Sequence, residues 1–307
     1  MIRAFREEDS EDAVAVLRVA ALDWNHSPAS LLHRLAGHPP RARQLAWVAE
    51  ADGEIAGFAR ARLRWEVSGR SIGWLWLGVR PDRRGRGLGS ALYERAARHL
   101  VEAGAEVLES LAGEDGGHGF LGSRGFRATG VEHVSRLDVF AADVSSLAAL
   151  VEAKAREGFR LVTLGEALDR AREVHAVYAA TIGDVPEPFV VDDLRYDEWE
   201  RECLGDPDLS REGSTVVLHG ERPVALSFLV ADGEGRAAND MTGTLQQYRR
   251  RGLARLAKLG TIRWAAAGGA DWILTGNDEQ NPAMRGLNES LGYRPAGTQT
   301  LYAREVA

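Results

Sequence analysis

The sequence predicts an α/β protein made of two copies of one domain in tandem. Three observations predict it. Strand-like and helix-like periodicities alternate along the chain. An Arg/Gly loop between a strand and an amphipathic helix occurs twice, at residues 83–89 and 249–254. Landmarks also recur at a nearly constant offset. Arg84 to Arg249 and Gly87 to Gly252 are both 165 positions apart, and Gly53 to Gly220 and Gly125 to Gly292 both 167. Such an offset marks a duplication, and two domains of about 140 residues fit the usual size of a domain. The expected boundaries are 1–140 for the first domain, 141–158 for a connecting segment and 159–307 for the second.

In order, residues 2–5 read as a strand, and Glu8-Asp9-Ser10 opens a helix through Ala13, Val16, Leu17 and Ala20. A short helix follows over 28–35. Residues 45–50 and 55–63 flank Asp52-Gly53, a hairpin signal. An apolar strand ends at Val79, and the first Arg/Gly loop leads into a helix with Leu88, Leu92, Ala96 and Leu100 four apart. Residues 107–111 read as a strand, 113–119 as a glycine-rich loop, 120–124 as a short helix and 131–139 as a closing strand. The pattern then restarts. A helical connection precedes a strand at 159–164 and a helix at 166–180. Residues 215–218 and 224–230 flank a second hairpin turn at His219-Gly220-Glu221-Arg222. A strand at 241–245, the second loop and a helix carrying Leu253, Leu256, Leu259 and Ile262 follow. A strand at 272–275 and a short helix opened by Asn281-Pro282 end the pattern at Gly292.

Composition narrows the function. Hydrophobic residues at 45% and charged residues at 27% are those of a globular protein. No apolar run reaches the roughly 18 residues of a membrane span. The first residues lack an apolar signal core, which makes the cytoplasm the expected compartment. Cys203 is the lone cysteine, which excludes an internal disulfide and a cysteine-rich metal site, and no metal is expected. A net charge of −7 argues against a nucleic-acid-binding face. Nearly all positive charge is arginine; Lys154 and Lys258 are the lysines.

The loops suit a phosphate. The first N–H groups of a helix lack internal partners and sit at the positive end of the helix dipole. Glycines let a ligand approach the backbone, and arginines supply forked donors. The first loop is not a dinucleotide fingerprint, because its glycines at 85, 87 and 89 read G-x-G-x-G and not G-x-G-x-x-G. It also lacks the Gly-Lys-Ser/Thr of a Walker loop.

Val79-Arg80-Pro81-Asp82-Arg83-Arg84-Gly85-Arg86-Gly87-Leu88-Gly89 resembles the pyrophosphate-binding motif of the GNAT N-acetyltransferase superfamily, Q/R-x-x-G-x-G/A, with Arg84, Gly87 and Gly89 on the named positions. Arg249, Gly252 and Ala254 match it a second time. The chain is most similar to the tandem group that includes mycothiol synthase, through Asn239-Asp240-Met241-Thr242-Gly243, Asn277, Asn281, Met284, Asn288 and Leu291-Gly292-Tyr293. The resemblance implies, in each domain, a mixed, mostly antiparallel central sheet flanked by helices. It implies acetyl-CoA as donor, with pyrophosphate on the amides around Arg84, Gly85, Gly87 and Gly89, or Arg249, Arg250, Gly252 and Ala254. Pantetheine would run along Leu77 and Val79, or Thr244 and Leu245. Asn281 would touch pantetheine, although an N-cap role before Pro282 suffices to explain it.

Acylating an amine needs a neutral nitrogen, so a base helps. The family often uses a carboxylate on the strand before the loop. The corresponding positions are Trp74, which cannot accept a proton, and Asp240, which can. The family's usual acid is a tyrosine at the positions held here by Leu121 and Asn288. The thiolate would then leave unassisted, tolerable for a thiol of pKa about 8.5. The second domain is therefore the expected catalytic one, with Asp240 as base, and the first a CoA-binding or structural partner. Trp74 and Trp76 share a strand face as core or pocket wall. Trp24-Asn25-His26, the loop pair Asp115 and His118, and an acidic run of Asp184, Glu187, Asp192 and Asp193 are weaker candidates for acceptor contacts. Tyr248 is expected at the surface. The expected reaction is acetyl transfer from acetyl-CoA to a primary amine of a small molecule, by a monomer (an intrachain pseudo-dimer) or a homodimer, with no nucleic acid or membrane partner. A non-catalytic acyl-CoA-binding pseudoenzyme and a protein amine acetyltransferase are the alternatives.

Overall fold

A computed structural model describes residues 1–22, 25–113, 116–186 and 189–306. The first half runs β1 (Ile2–Ala4), α1 (Ser10–Ala20), α2 (Pro28–Ala36), β2 (Leu45–Ala51), β3 (Glu54–Leu63), β4 (Ile72–Val79), α3 (Leu88–Glu102), β5 (Val107–Gly113), α4 (Gly117–Gly122) and β6 (Arg127–Asp138). The second runs α5 (Leu147–Arg156), β7 (Phe159–Thr163), α6 (Ala171–Ile182), α7 (Tyr196–Trp199), β8 (Thr215–His219), β9 (Arg222–Ala231), β10 (Arg236–Thr244), α8 (Leu253–Trp264), β11 (Trp272–Asp278), α9 (Pro282–Ser290) and β12 (Arg294–Glu305). The α/β, mixed-sheet architecture is the one expected.

The chain divides into two compact units that are not its contiguous halves. One comprises Met1–His133, Glu187–Asp193 and Gly297–Ala307, the other Val134–Pro186 and Leu194–Ala296. This differs from the boundaries 1–140, 141–158 and 159–307. The reason lies in the terminal strands. In the first unit the strand order is β1-β2-β3-β4-β5-β12. β12, from the end of the chain, pairs antiparallel with β5 from Gln299↔Gly113 to Glu305↔Val107. β6, expected to close the first domain, passes into the second unit from Val134 and lies beside β11.

Within the first unit β1–β2, β2–β3, β3–β4 and β5–β12 pair antiparallel, and β4–β5 parallel. Alternation along the strands gives the sheet two apolar faces. Leu75, Ala59 and Leu108 pack with Leu92, Ala96 and Leu100 of α3. Phe58 and Trp76 pack with Val14 and Leu17 of α1 and Leu31 of α2. The Asp52-Gly53 turn has φ of 54° and 82°, the left-handed pair that suits a tight hairpin.

The second unit repeats the plan in β7-β8-β9-β10-β11, antiparallel through β10 and parallel between β10 and β11. Leu256, Leu259 and Ile262 of α8 pack on one face, and Val174 and Val177 of α6 with Trp199 on the other. The helix expected over 166–180 begins later. A 3-10 turn fills Gly165–Arg170, where the Glu166 carboxylate accepts from the Thr163 amide at 2.7 Å and the Glu166 amide donates back to Thr163 Oγ1 at 3.2 Å.

One close approach recurs in both units. A Cβ on Gly78 of β4 would lie 2.7 Å from Ala20 Cβ, at the end of α1. A Cβ on Gly243 of β10 would lie 2.2 Å from Thr181 Oγ1, near the end of α6. Only glycine fits either place.

Candidate functional site: a split sheet and a glycine loop

The sheet of the first unit splits between β4 and β5. They pair at Ile72↔Val107, Gly73↔Leu108 and Trp74↔Glu109, and the pairing ends there. β4 remains bonded to β3 as far as Val79, so its other edge faces the opening with backbone groups that β3 does not use. Residues 75–79 and 110–113 wall a cavity of about 530 Å³, within the range of small-molecule sites.

One end of this cavity is the Arg/Gly loop: Arg83, Arg84, Gly85, Gly87, Gly89 and Ser90 border it. Gly85 and Gly87 have φ of +76° and +82°, and a Cβ on either would meet nothing within 4 Å. Backbone conformation, not crowding, favours glycine there; the left-handed conformation costs most other residues about 1–2 kcal/mol. Gly87 is the N-cap of α3 and supplies no side-chain bond to the α3 amides. Arg84 is pinned by its Nε, which donates to the Val79 carbonyl at 3.2 Å. All six residues expected to hold donor in this domain, Leu77, Val79, Arg84, Gly85, Gly87 and Gly89, border the cavity.

The other side is formed by Ala20, Leu22, Trp76 and Gln299. Trp76 is therefore a pocket wall, and Trp74 sits at the closed end opposite Glu109. A buried ionic cluster lies at this end of the strands. Arg64 Nη1 is 3.1 Å from Glu109 Oε2, and Arg62 holds both oxygens of Glu66 at 2.9 and 3.0 Å. Burial raises the Glu66 carboxyl, but the charge and hydrogen bonds of Arg62, with Arg64, outweigh it and hold the group down at about 2.

The second unit repeats the split. β10 and β11 pair from Arg236↔Trp272 to Ala238↔Leu274 and then part. Arg249 Nε donates to the Thr244 carbonyl at 3.1 Å, and its Nη2 bonds Asp184. Arg250 stands at the place of Gly85 and has φ of 60°; Gly252 caps α8 at φ 76°. Ala254 lies in the first turn of α8. Leu245 borders a separate cavity with Glu173, His219, Arg222 and Gln247, which Arg249, Arg250, Gly252 and Ala254 do not reach. Asp240 is exposed, at a register shift between Asn239 and Met241, and borders neither cavity. Asn281 acts as the N-cap of α9, its Oδ1 accepting from the Met284 amide at 3.2 Å.

At the tyrosine positions of the family, Leu121 lines the first cavity and Asn288 bonds Asn277 at 2.6 Å. His118 Nδ1 lies 2.9 Å from Tyr302 Oη. Of the weaker candidates, Trp24, Asp115 and Glu187 lie outside the described residues. His26 bonds Ser30. The acidic run does not gather at one pocket: Asp184 is on Arg249, Asp192 accepts from Ser68, and Asp193 is 3.5 Å from Arg41. Tyr248 is half-buried on Phe159 and His219. Sequence reasoning missed Gln299, Ser110 and Phe120 at the cavity; Gln299 reaches it only through the strand exchange.

No helix among the described residues is long and apolar enough to cross a membrane. The acetyltransferase (GNAT) family model matches residues 4–126. An acetyltransferase of Pectobacterium atrosepticum is 33% identical over 116 residues, 37% of this chain and 77% of that protein. An acetyltransferase of Yersinia pestis (strain Pestoides F) is 32% identical over the same shares. Among solved structures, a tandem GNAT protein from the clavulanic acid biosynthesis pathway shares 19% identity at a TM-score of 0.71, covering 99% of this chain and 98% of that one. A GCN5-related N-acetyltransferase from Sphaerobacter thermophilus shares 17% at 0.68, covering 99% and 95%. These two bear on the fold, whereas the sequence relatives bear on descent: the chain belongs to the GNAT family of acetyltransferases.

Proposed function

We propose that the first unit binds acetyl-CoA in the β4/β5 opening and transfers its acetyl group to a primary amine of a small molecule. The observation that carries this is the continuity of one cavity from the glycine loop to the end of the strand pairing. The residues fit the donor: the α3 amides with Gly85, Gly87 and Arg84 suit a pyrophosphate, and the free edge of β4 at Leu77 and Val79 suits the amides of pantetheine. The donor supplies an activated thioester. The chain's own groups orient it, keep water from the apolar walls at Trp76, Leu22 and Phe120, and leave room for an amine at the closed end. In the transfer a C–N bond forms, the C–S bond breaks, and the amine proton passes to solvent or to the departing thiolate.

A second reading keeps the chemistry in the second unit, with Asp240 as base and Arg249, Arg250, Gly252 and Ala254 around the phosphates. It rests on the exposure of Asp240 just past the last β10–β11 pair. Thiol release from acetyl-CoA over a panel of amines tests both. Turnover that survives Asp240→Asn supports the first unit, and its loss with CoA binding retained supports the second. Tight CoA binding with no transfer to any amine or protein would leave the acyl-CoA-binding pseudoenzyme.

A further inference from the structure

Gln299 is 4% exposed, borders the first unit's cavity, and its Nε2 has no hydrogen-bond partner among the described residues. A buried amide N–H without a partner is costly unless something arrives to accept from it. Its neighbour across the ladder is Gly113, and a Cβ on Gly113 would meet nothing within 4 Å. Gly113 itself therefore places no side chain between the Gln299 amide and the opening.

Alternation along β12 gives its direction. Tyr302 bonds His118 of α4, and Arg304 lies over Phe126, both with the α3 side of the sheet. Gln299 is odd-numbered and points to the other face, where Trp76 packs with α1 and where a Cβ on Gly297 would touch Leu22 at 2.6 Å. The phosphate loop opens onto α3. The two faces of the cavity thus divide between a donor at the loop and an acceptor at the Trp76–Gln299 wall.

We propose that Gln299, delivered to the first unit by the last strand of the chain, positions the acceptor by donating from Nε2 to a carbonyl or carboxylate oxygen beside the reacting amine. The proposal rests on the donor site assigned above. It selects amines bearing such an oxygen, as in an amino acid or its amide, over simple alkylamines.

The test compares the wild-type chain with Gln299→Ala and the near-isosteric Gln299→Glu. CoA affinity is read by calorimetry, acceptor KM and kcat by thiol release, and folding by thermal melting. Expected is a rise of roughly 10- to 100-fold in acceptor KM for Gln299→Ala, with CoA affinity within about twofold of wild type. Gln299→Glu is expected to reject carboxylate-bearing acceptors more than amide-bearing ones. An unchanged acceptor KM, an equal loss of CoA affinity, or a lowered melting temperature with unchanged KM overturns the role of Gln299 while leaving the donor site standing. Failure of the wild-type chain to bind CoA overturns both.

Discussion

Arg84 Nε and the carbonyl oxygen of Val79 are joined by a 3.2 Å hydrogen bond, and the same bond joins Arg249 to Thr244 at 3.1 Å. Each closes the turn between a strand end and a glycine-capped helix. The equivalence extends inward to Gly78 and Gly243, where a helix end touches the strand. The duplication therefore preserves the local mechanics of the loop, while the side chains around each opening have diverged.

Gly243→Ala is expected to destabilise the second unit by about 1–3 kcal/mol, because Thr181 Oγ1 occupies the space its methyl needs. Chemical denaturation measures it. A change below about 0.5 kcal/mol would mean that α6 shifts freely.

Glu66 links stability to acid. Its folded value of about 2 lies below the unfolded carboxylate range, so its contribution is full above pH 4.5 and disappears as pH falls toward 2. Up to about 3 kcal/mol is at stake. Glu66→Gln should flatten the stability profile in that window and leave little to lose there.

Lys258 works in the opposite region. Burial lowers its ammonium to about 7, and its Nζ lies 5.1 Å from the Tyr293 ring centre. The unfolded chain keeps the proton up to about pH 10.4, so folding is penalised below pH 7 and the penalty fades as pH rises from 7 toward 10. Lys258→Met should stabilise the protein most at or below pH 7, and less at pH 10. Denaturation at both values checks it.

The strand exchange predicts that neither contiguous half is self-sufficient. Removing residues 294–307 strips β5 of a seven-residue ladder and bares an edge. A fragment of residues 1–140 should show poor amide protection by hydrogen exchange, regained when a peptide of residues 294–306 is added.

The exchange also marks the limit of what the sequence discloses. The glycine loops, the Asp52-Gly53 hairpin and the Asn281 cap were legible because each is a local demand of the backbone, met by the residue at that position. β12 was not, because Pro295 and Gly297 read as turn signals and its partner β5 lies far earlier in the chain. Gln299 was hidden with it. The α6 start was misplaced because the Thr163–Glu166 cap imitates the opening of a helix. The expectation of a catalytic second half follows one carboxylate, Asp240, whereas the cavity that Arg84, Gly85 and Gly87 border lies at the other loop, where a tryptophan stands in the carboxylate's place.

The first loop is the proposed donor site. Gly85 and Arg250 are matched positions with left-handed φ, and aspartate tolerates that region better than most residues. Calorimetric titration of CoA into wild type, Gly85→Asp and Arg250→Asp therefore places the same charge in each loop without a large backbone penalty. One site is expected in the wild type, weakened at least about tenfold by Gly85→Asp and unaffected by Arg250→Asp. Loss of binding in Arg250→Asp with full binding in Gly85→Asp would contradict that assignment.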